Sequence, residues 1–83
     1  MWFVYVLLSN VDNRTYIGST KNIQLRIGQH NQGMVVATRS RRPLKLIYNE
    51  EYATEGEARN REHFLKTTSG RRELKKILAS LGL

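Results

Sequence analysis

Trp2-Phe3-Val4-Tyr5-Val6-Leu7-Leu8-Ser9, Asn10-Val11-Asp12-Asn13 and Arg14-Thr15-Tyr16-Ile17-Gly18 read as strand, turn and strand. The first run is rich in aromatic and β-branched residues, and the second is the polar cluster that reverses a chain. A loop of the four residues Asn10 to Asn13 pairs Ser9 with Arg14, Leu7 with Tyr16 and Tyr5 with Gly18. Both tyrosines then lie on one face. A three-residue loop puts them on opposite faces. Glycine opposite Tyr5 is expected to leave open space beside the phenol, where a substrate backbone can approach.

Working outward from the hairpin, Ser19, Thr20 and Asn22 offer N-cap chemistry for a helix running to about Asn31, with Gln32-Gly33 as its stop. Ile23 and Ile27 form its buried stripe by their i, i+4 spacing, and Arg26 and His30 share another face by the same spacing. Residues 34 to 43 show no clear period. Leu44, Leu46 and Tyr48 alternate with Lys45 and Ile47 as a third strand reaching about Tyr52. Thr54-Glu55-Gly56-Glu57 matches a capping box for a helix through about Thr68. Ser69 is the expected cap of a last helix with Leu74, Ile77, Leu78 and Leu81 in register. The order ββαβαα predicts an α+β fold, a small three-stranded antiparallel sheet flanked by helices.

The chain has 83 residues, which fits a single domain over residues 1–83 with a thin core. It has no cysteine, so disulfides, thiolate metal sites and cysteine nucleophiles are excluded. That composition fits a reducing cytoplasm, and no stretch reaches the ~20 apolar residues of a membrane span. Fourteen Lys and Arg against seven Asp and Glu give a net charge of +7, a field that favours polyanions. Nucleic acid is the leading partner class.

Several residues carry chemistry that suits a phosphodiester. Tyr5 and Tyr16 supply phenols that can handle a proton, although a phenol with an ordinary pKa of about 10 needs a nearby cation to act as a base. Arg26 offers a planar fork for a phosphate oxygen, His30 can relay a proton, and Glu62 can hold a hard divalent ion with help from water and substrate. Lys66, one turn beyond Glu62, is its natural ion-pair partner. Arg39, Arg41, Arg42 and Lys45 cluster around the irregular segment, where a phosphate chain can lie. Arg71, Arg72, Lys75 and Lys76 make a second basic face, equally readable as the solvated side of an amphipathic helix.

Phe3-Val4-Tyr5, Tyr16-Ile17-Gly18-Ser19-Thr20, Leu25-Arg26, His30-Asn31-Gln32-Gly33, Arg42-Pro43 and Ala58-Arg59-Asn60-Arg61-Glu62 together carry a resemblance. In these residues the chain resembles the GIY-YIG nuclease domain, and most closely its small stand-alone bacterial branch. Phe3 and Val4 stand where the family name has glycine and isoleucine. The resemblance implies the same mixed fold and a metal-dependent endonuclease that leaves a 5′-phosphate and a 3′-hydroxyl. It implies catalytic roles for Tyr5, Tyr16, Arg26, His30 and Glu62, with Glu62 carrying Mg²⁺ or Mn²⁺. Thr38 sits in a family-like context as a nucleic-acid backbone contact, and Lys66 is expected to turn to the backbone when the metal binds.

Larger relatives, among them excision-repair incision subunits, add separate targeting domains. This chain is therefore expected to act on structured or single-stranded DNA, with RNA left open, or to depend on a targeting protein. The alternative is a nucleic-acid-binding module that has lost turnover, and a third reading is an adaptor for an acidic protein.

Overall fold

A computed structural model describes residues 1–83. Strand β1 (Trp2–Ser9) and strand β2 (Thr15–Thr20) form the expected hairpin, followed by helix α1 (Ile23–Asn31). A short 3-10 helix at Val36–Arg41 leads into β3 (Leu44–Tyr52), and helices α2 (Glu55–Leu65) and α3 (Thr68–Ser80) complete the chain. The sheet is antiparallel in the order β2-β1-β3, so the fold is α+β as the pattern of elements predicts. None of the helices is long and apolar enough to cross a membrane.

The hairpin takes the even loop. Ser9 N–H donates to the Arg14 carbonyl at 3.0 Å, Asn13 adopts φ 59°, and Tyr5 pairs with Gly18 and Leu7 with Tyr16. Asparagine is among the few residues that tolerate that left-handed conformation. Because side chains alternate across a strand, Val4, Val6, Ile17 and Ser19 face one way, and Tyr5, Leu7, Tyr16 and Gly18 face the other.

Two cores follow from that alternation. On one face Val4, Val6 and Ile17 pack with Ala58 and Leu65 of α2 and Leu74 of α3. On the other, Tyr5, Leu7 and Leu44 are flanked by Tyr16, Ile27 and Leu46. β3 serves both, because Leu7 pairs with Leu46 while Val6 pairs with Tyr48, leaving Ile47 as the extra residue of a bulge. The simple alternation of Leu44, Leu46 and Tyr48 is thereby corrected. The bulge turns Tyr48 to the opposite face from Leu46.

Beyond the bulge, Glu50 accepts from the hydroxyls of Tyr48 at 2.6 Å and Tyr52 at 2.7 Å, and from Arg61 Nε at 2.8 Å. Arg61 also reaches Glu73, so one charged cluster ties β3 to α2 and α3. Burial alone would raise the Glu50 carboxyl, but Arg61 and the two phenols outweigh it and hold the group below its usual range.

The helix starts show where local chemistry decides. Asn22 caps α1 by accepting from Leu25 N–H, and Thr54 with Glu57 forms the expected capping box of α2. α3 is capped by Thr67 instead of Ser69, with the Thr67 hydroxyl accepting from Gly70 N–H at 3.1 Å. Gly70 fixes this start: a Cβ there would lie 1.8 Å from the Phe64 carbonyl oxygen, so only glycine lets α3 close against the end of α2.

Candidate active site

On the Tyr5 face, α1 and the 3-10 helix bring four of the expected residues together. Tyr5 is 1% exposed and His30 is fully buried, the only buried residue of α1. Arg26 Nε donates to the Tyr5 oxygen at 3.4 Å, and Tyr5 OH lies 3.0 Å from His30 Nε2. A guanidinium can only donate, so the Tyr5 hydrogen is directed to Nε2 and the imidazole carries its proton on Nδ1. Nδ1 then donates to Thr38 Oγ1 at 2.7 Å, and the Thr38 hydroxyl points to the Val35 carbonyl at 3.5 Å. Every group in this buried chain is satisfied, in keeping with the absence of unpartnered buried polar side-chain atoms.

Tyr16 closes the cluster from β2. Its ring stands edge-on to His30 with centroids 5.0 Å apart, and the Tyr5 ring does the same at 5.7 Å. Unlike Tyr5, Tyr16 is partly exposed. Arg26 keeps its direction through Gln29, whose Oε1 accepts from Nη1 at 3.0 Å.

The electrostatics separate these groups. Burial pushes the His30 imidazole down to about 4, helped by the nearby Arg26 charge, so it is neutral at neutral pH. Burial likewise raises the Tyr5 phenol, and Arg26 offsets this only in part.

Gly18 behaves differently from expectation. A Cβ at Gly18 would meet the Tyr5 hydroxyl at 2.4 Å, so the space left by the missing side chain is filled by Tyr5 itself. The glycine admits the phenol across the strand instead of opening a cleft beside it.

Glu62 reaches the site from the other face, at the β2 edge. Ser19 Oγ donates to Glu62 Oε1 at 2.6 Å, and Lys66 Nζ donates to Oε2 at 2.7 Å. Burial would raise this carboxyl, but Lys66 and Ser19 outweigh it and keep it ionised below its usual range. Its charge is felt by the Tyr5 hydroxyl. No group of three or more metal-ligating side chains exists in the chain. A single low-pKa carboxylate fits a hard divalent ion held largely by water and substrate oxygens.

The residues expected to bind nucleic acid divide. Thr38, expected as a backbone contact, is fully buried, and its hydroxyl lies 2.7 Å from His30 Nδ1. Arg41 is tied to Asp12 at 2.7 Å and to the carbonyls of Arg14 and Thr15. Arg39 Nε donates to Gly33 O and Arg42 Nε to Arg39 O, both at 2.8 Å, and both side chains belong to exposed residues. Lys45 is exposed on the β3 edge. Asn31, by contrast, pins α1 to β3, donating to Leu44 O and accepting from Leu44 N–H.

Two contributors are absent from the sequence reading of the site. Ser19 holds the carboxylate, and Gln29 holds the arginine. Ser19 was within reach, because strand alternation turns it away from Tyr5 and toward the helix that carries Glu62.

The chain matches the GIY-YIG catalytic domain over residues 1–76. It is 40% identical over 76 residues to UPF0213 proteins of Staphylococcus haemolyticus and Staphylococcus epidermidis, covering 90% of this chain and 92% of each relative. The similarity to a UPF0213 protein of Staphylococcus aureus is 37% over the same span. No solved structure matches it. With the match running over nearly the whole chain, and with Tyr5 and Tyr16 on one face of its hairpin, the protein belongs to the GIY-YIG catalytic domain family, a family of nucleases.

Proposed function

We propose that this protein is a divalent-metal-dependent endonuclease that hydrolyses phosphodiester bonds in structured or single-stranded DNA. The observation that carries this reading is the meeting of Tyr5, Tyr16, Arg26 and His30 on one face of the hairpin, with the ionised Glu62 of α2 bonded to Ser19 of β2 on the other. Glu62 would hold an Mg²⁺ or Mn²⁺ ion, which supplies charge neutralisation at the scissile phosphate.

The chain's own residues account for the rest. Arg26 holds a nonbridging oxygen and stabilises the charge it gains as water adds to phosphorus and the 3′-oxygen leaves, giving a 5′-phosphate and a 3′-hydroxyl. Burial favours a division of labour between the phenols. Tyr5, buried and with a raised pKa, orients Arg26 and the imidazole; Tyr16, partly exposed, is the phenol that meets the attacking water. Neutral His30 accepts from Tyr5 and gives the cluster a fixed proton arrangement, with Thr38 behind it. Lys66 is the counter-ion of Glu62 and would be free to turn to the phosphate chain with Glu62 engaged by the ion. Arg39, Arg42 and Lys45 bind the phosphates further along.

The test is cleavage of labelled single-stranded, flapped and branched DNA with Mg²⁺ or Mn²⁺, using the parent and Glu62→Ala purified side by side. We expect cleavage by the parent and a loss of at least about 100-fold in the variant, with its fold intact by circular dichroism. Cleavage by neither, with binding retained, would sink the nuclease reading and leave a binding module.

A further inference from the structure

The outer edge of β2 and the facing side of α3 enclose a groove of about 640 Å³. Arg14, Arg41, Lys66, Arg71 and Lys75 line it, and Asp12 is the only acid on its walls. Asp12 is already engaged by Arg41, and Lys66 by Glu62. Arg14, Arg71 and Lys75 are exposed and take part in none of the molecule's ion pairs. Three uncompensated cations therefore face one concave surface, a strong draw for a polyanion.

The rest of the lining narrows the ligand. Tyr16, Ile17, Leu74 and Leu78 give the groove an apolar floor with one aromatic ring. A phosphate chain flanked by planar apolar bases needs this combination, because cations track the backbone while aromatic and aliphatic surface takes the bases. Arg71 and Lys75 lie one helical turn apart on the same face of α3, a spacing of about 6 Å that suits neighbouring phosphates of one strand. The groove also leads to the candidate site. Tyr16 forms part of its lining while resting against His30, and Lys66 lines it while holding Glu62.

We propose that this groove is a binding site for one unpaired polynucleotide strand, with phosphates on Arg14, Arg71 and Lys75 and bases against the partly exposed Tyr16 and Leu78. The proposal deepens the nuclease reading, on which it rests for what the strand is brought to. It assigns a binding role to one stripe of α3 and leaves Arg72 and Lys76, which lie outside the groove, as ordinary solvated charges.

The experiment measures binding of labelled oligothymidine and oligouridine by fluorescence anisotropy across a salt series in EDTA, where no cleavage can occur. The parent is compared with Arg71→Gln/Lys75→Gln and with the charge-matched pair Arg72→Gln/Lys76→Gln on the same helix. We expect the groove pair to weaken binding roughly tenfold and to lower the salt slope by about 1.4, at ~0.7 per phosphate contact on a single strand. The control pair is expected to change affinity by less than about threefold. Whichever of the two polymers shows the dependence more strongly identifies the strand as DNA or RNA.

Equal losses in the two pairs would overturn the proposal in favour of diffuse charge. A duplex that binds as tightly with the same dependence would overturn its single-strand part, and oligoglutamate competing as well as the oligonucleotide would reassign the groove to an acidic peptide. Failure of the Glu62→Ala comparison with the groove dependence intact would remove the nuclease reading alone.

Discussion

The two faces of the sheet are built to opposite rules. Toward α2 and α3 it buries Val4, Val6, Ile17, Ala58, Leu65 and Leu74, and keeps its charged cluster at the margin on Glu50 and Arg61. Toward α1 it buries an imidazole, a phenol and a hydroxyl in one hydrogen-bonded line from Arg26 to Val35. Apolar contact is non-directional and tolerates small shifts, whereas the polar line holds its members in one orientation and is costly if any partner is lost. Stability is concentrated on one face and fixed geometry on the other.

The largest effect should come from the apolar side. Leu65→Ala removes a fully buried side chain from a thin core and is expected to cost about 2–5 kcal/mol in urea unfolding. Tyr5→Phe keeps the ring and leaves His30 Nε2 without its partner, an expected cost of about 1–3 kcal/mol. Its effect on cleavage should far exceed its effect on stability. A Tyr5→Phe protein as unstable as Leu65→Ala would break the contrast, making the polar line part of the scaffold.

Acid should sharpen the contrast next, because it acts on the polar face first. His30 titrates near the ordinary imidazole value of about 6.5 when unfolded but only at about 4 when folded. The unfolded chain therefore takes up the proton first, and stability falls as pH drops from about 6.5 toward 4, by up to roughly 3 kcal/mol. Glu50 and Glu62, both held below 4.5, add their loss only at lower pH. Urea midpoints measured from pH 7 to 4.5 should fall in the parent and stay nearly flat in His30→Gln. Parallel curves would mean that the buried imidazole does not govern this window.

The smallest effect marks the surface. The Arg59 to Glu55 pair spans i, i+4 on α2 at 2.8 Å, with more than half of the arginine side chain exposed. Arg59→Ala should change stability by less than about 0.5 kcal/mol, and added salt should erase even that. A larger change by the same urea assay would show that α2 depends on charge as well as on its buried stripe.

Much of this contrast was legible in the sequence, and the exceptions share a physical cause. The two hairpin strands and the order of elements followed from periodicity, turn residues and caps, while the choice between a four-residue and a three-residue loop was settled only by the folded register. What escaped were features chosen by distant partners. Thr38 lies in a segment without periodicity and is recruited by His30, while Ser19 meets a carboxylate 43 residues away. Thr67, Thr68 and Ser69 are all able to cap a helix, and the fit of Gly70 against Phe64 selects the first. The bulge at Ile47 carries no glycine or proline to announce it. The resemblance implied catalytic roles for Tyr5, Tyr16, Arg26, His30 and Glu62 without showing how they sit together, and the filling of the Gly18 space by Tyr5 was not foreseen.

That bulge has a consequence for how the molecule comes apart. Because β3 changes allegiance at Ile47, its first half seals the α1 core and its second half the α2 and α3 core, while the whole strand stays zipped to β1. Opening β3 therefore uncovers both cores at once. The strand that anchors the polar face is thus also the lid of the apolar one, which couples the unfolding of the two.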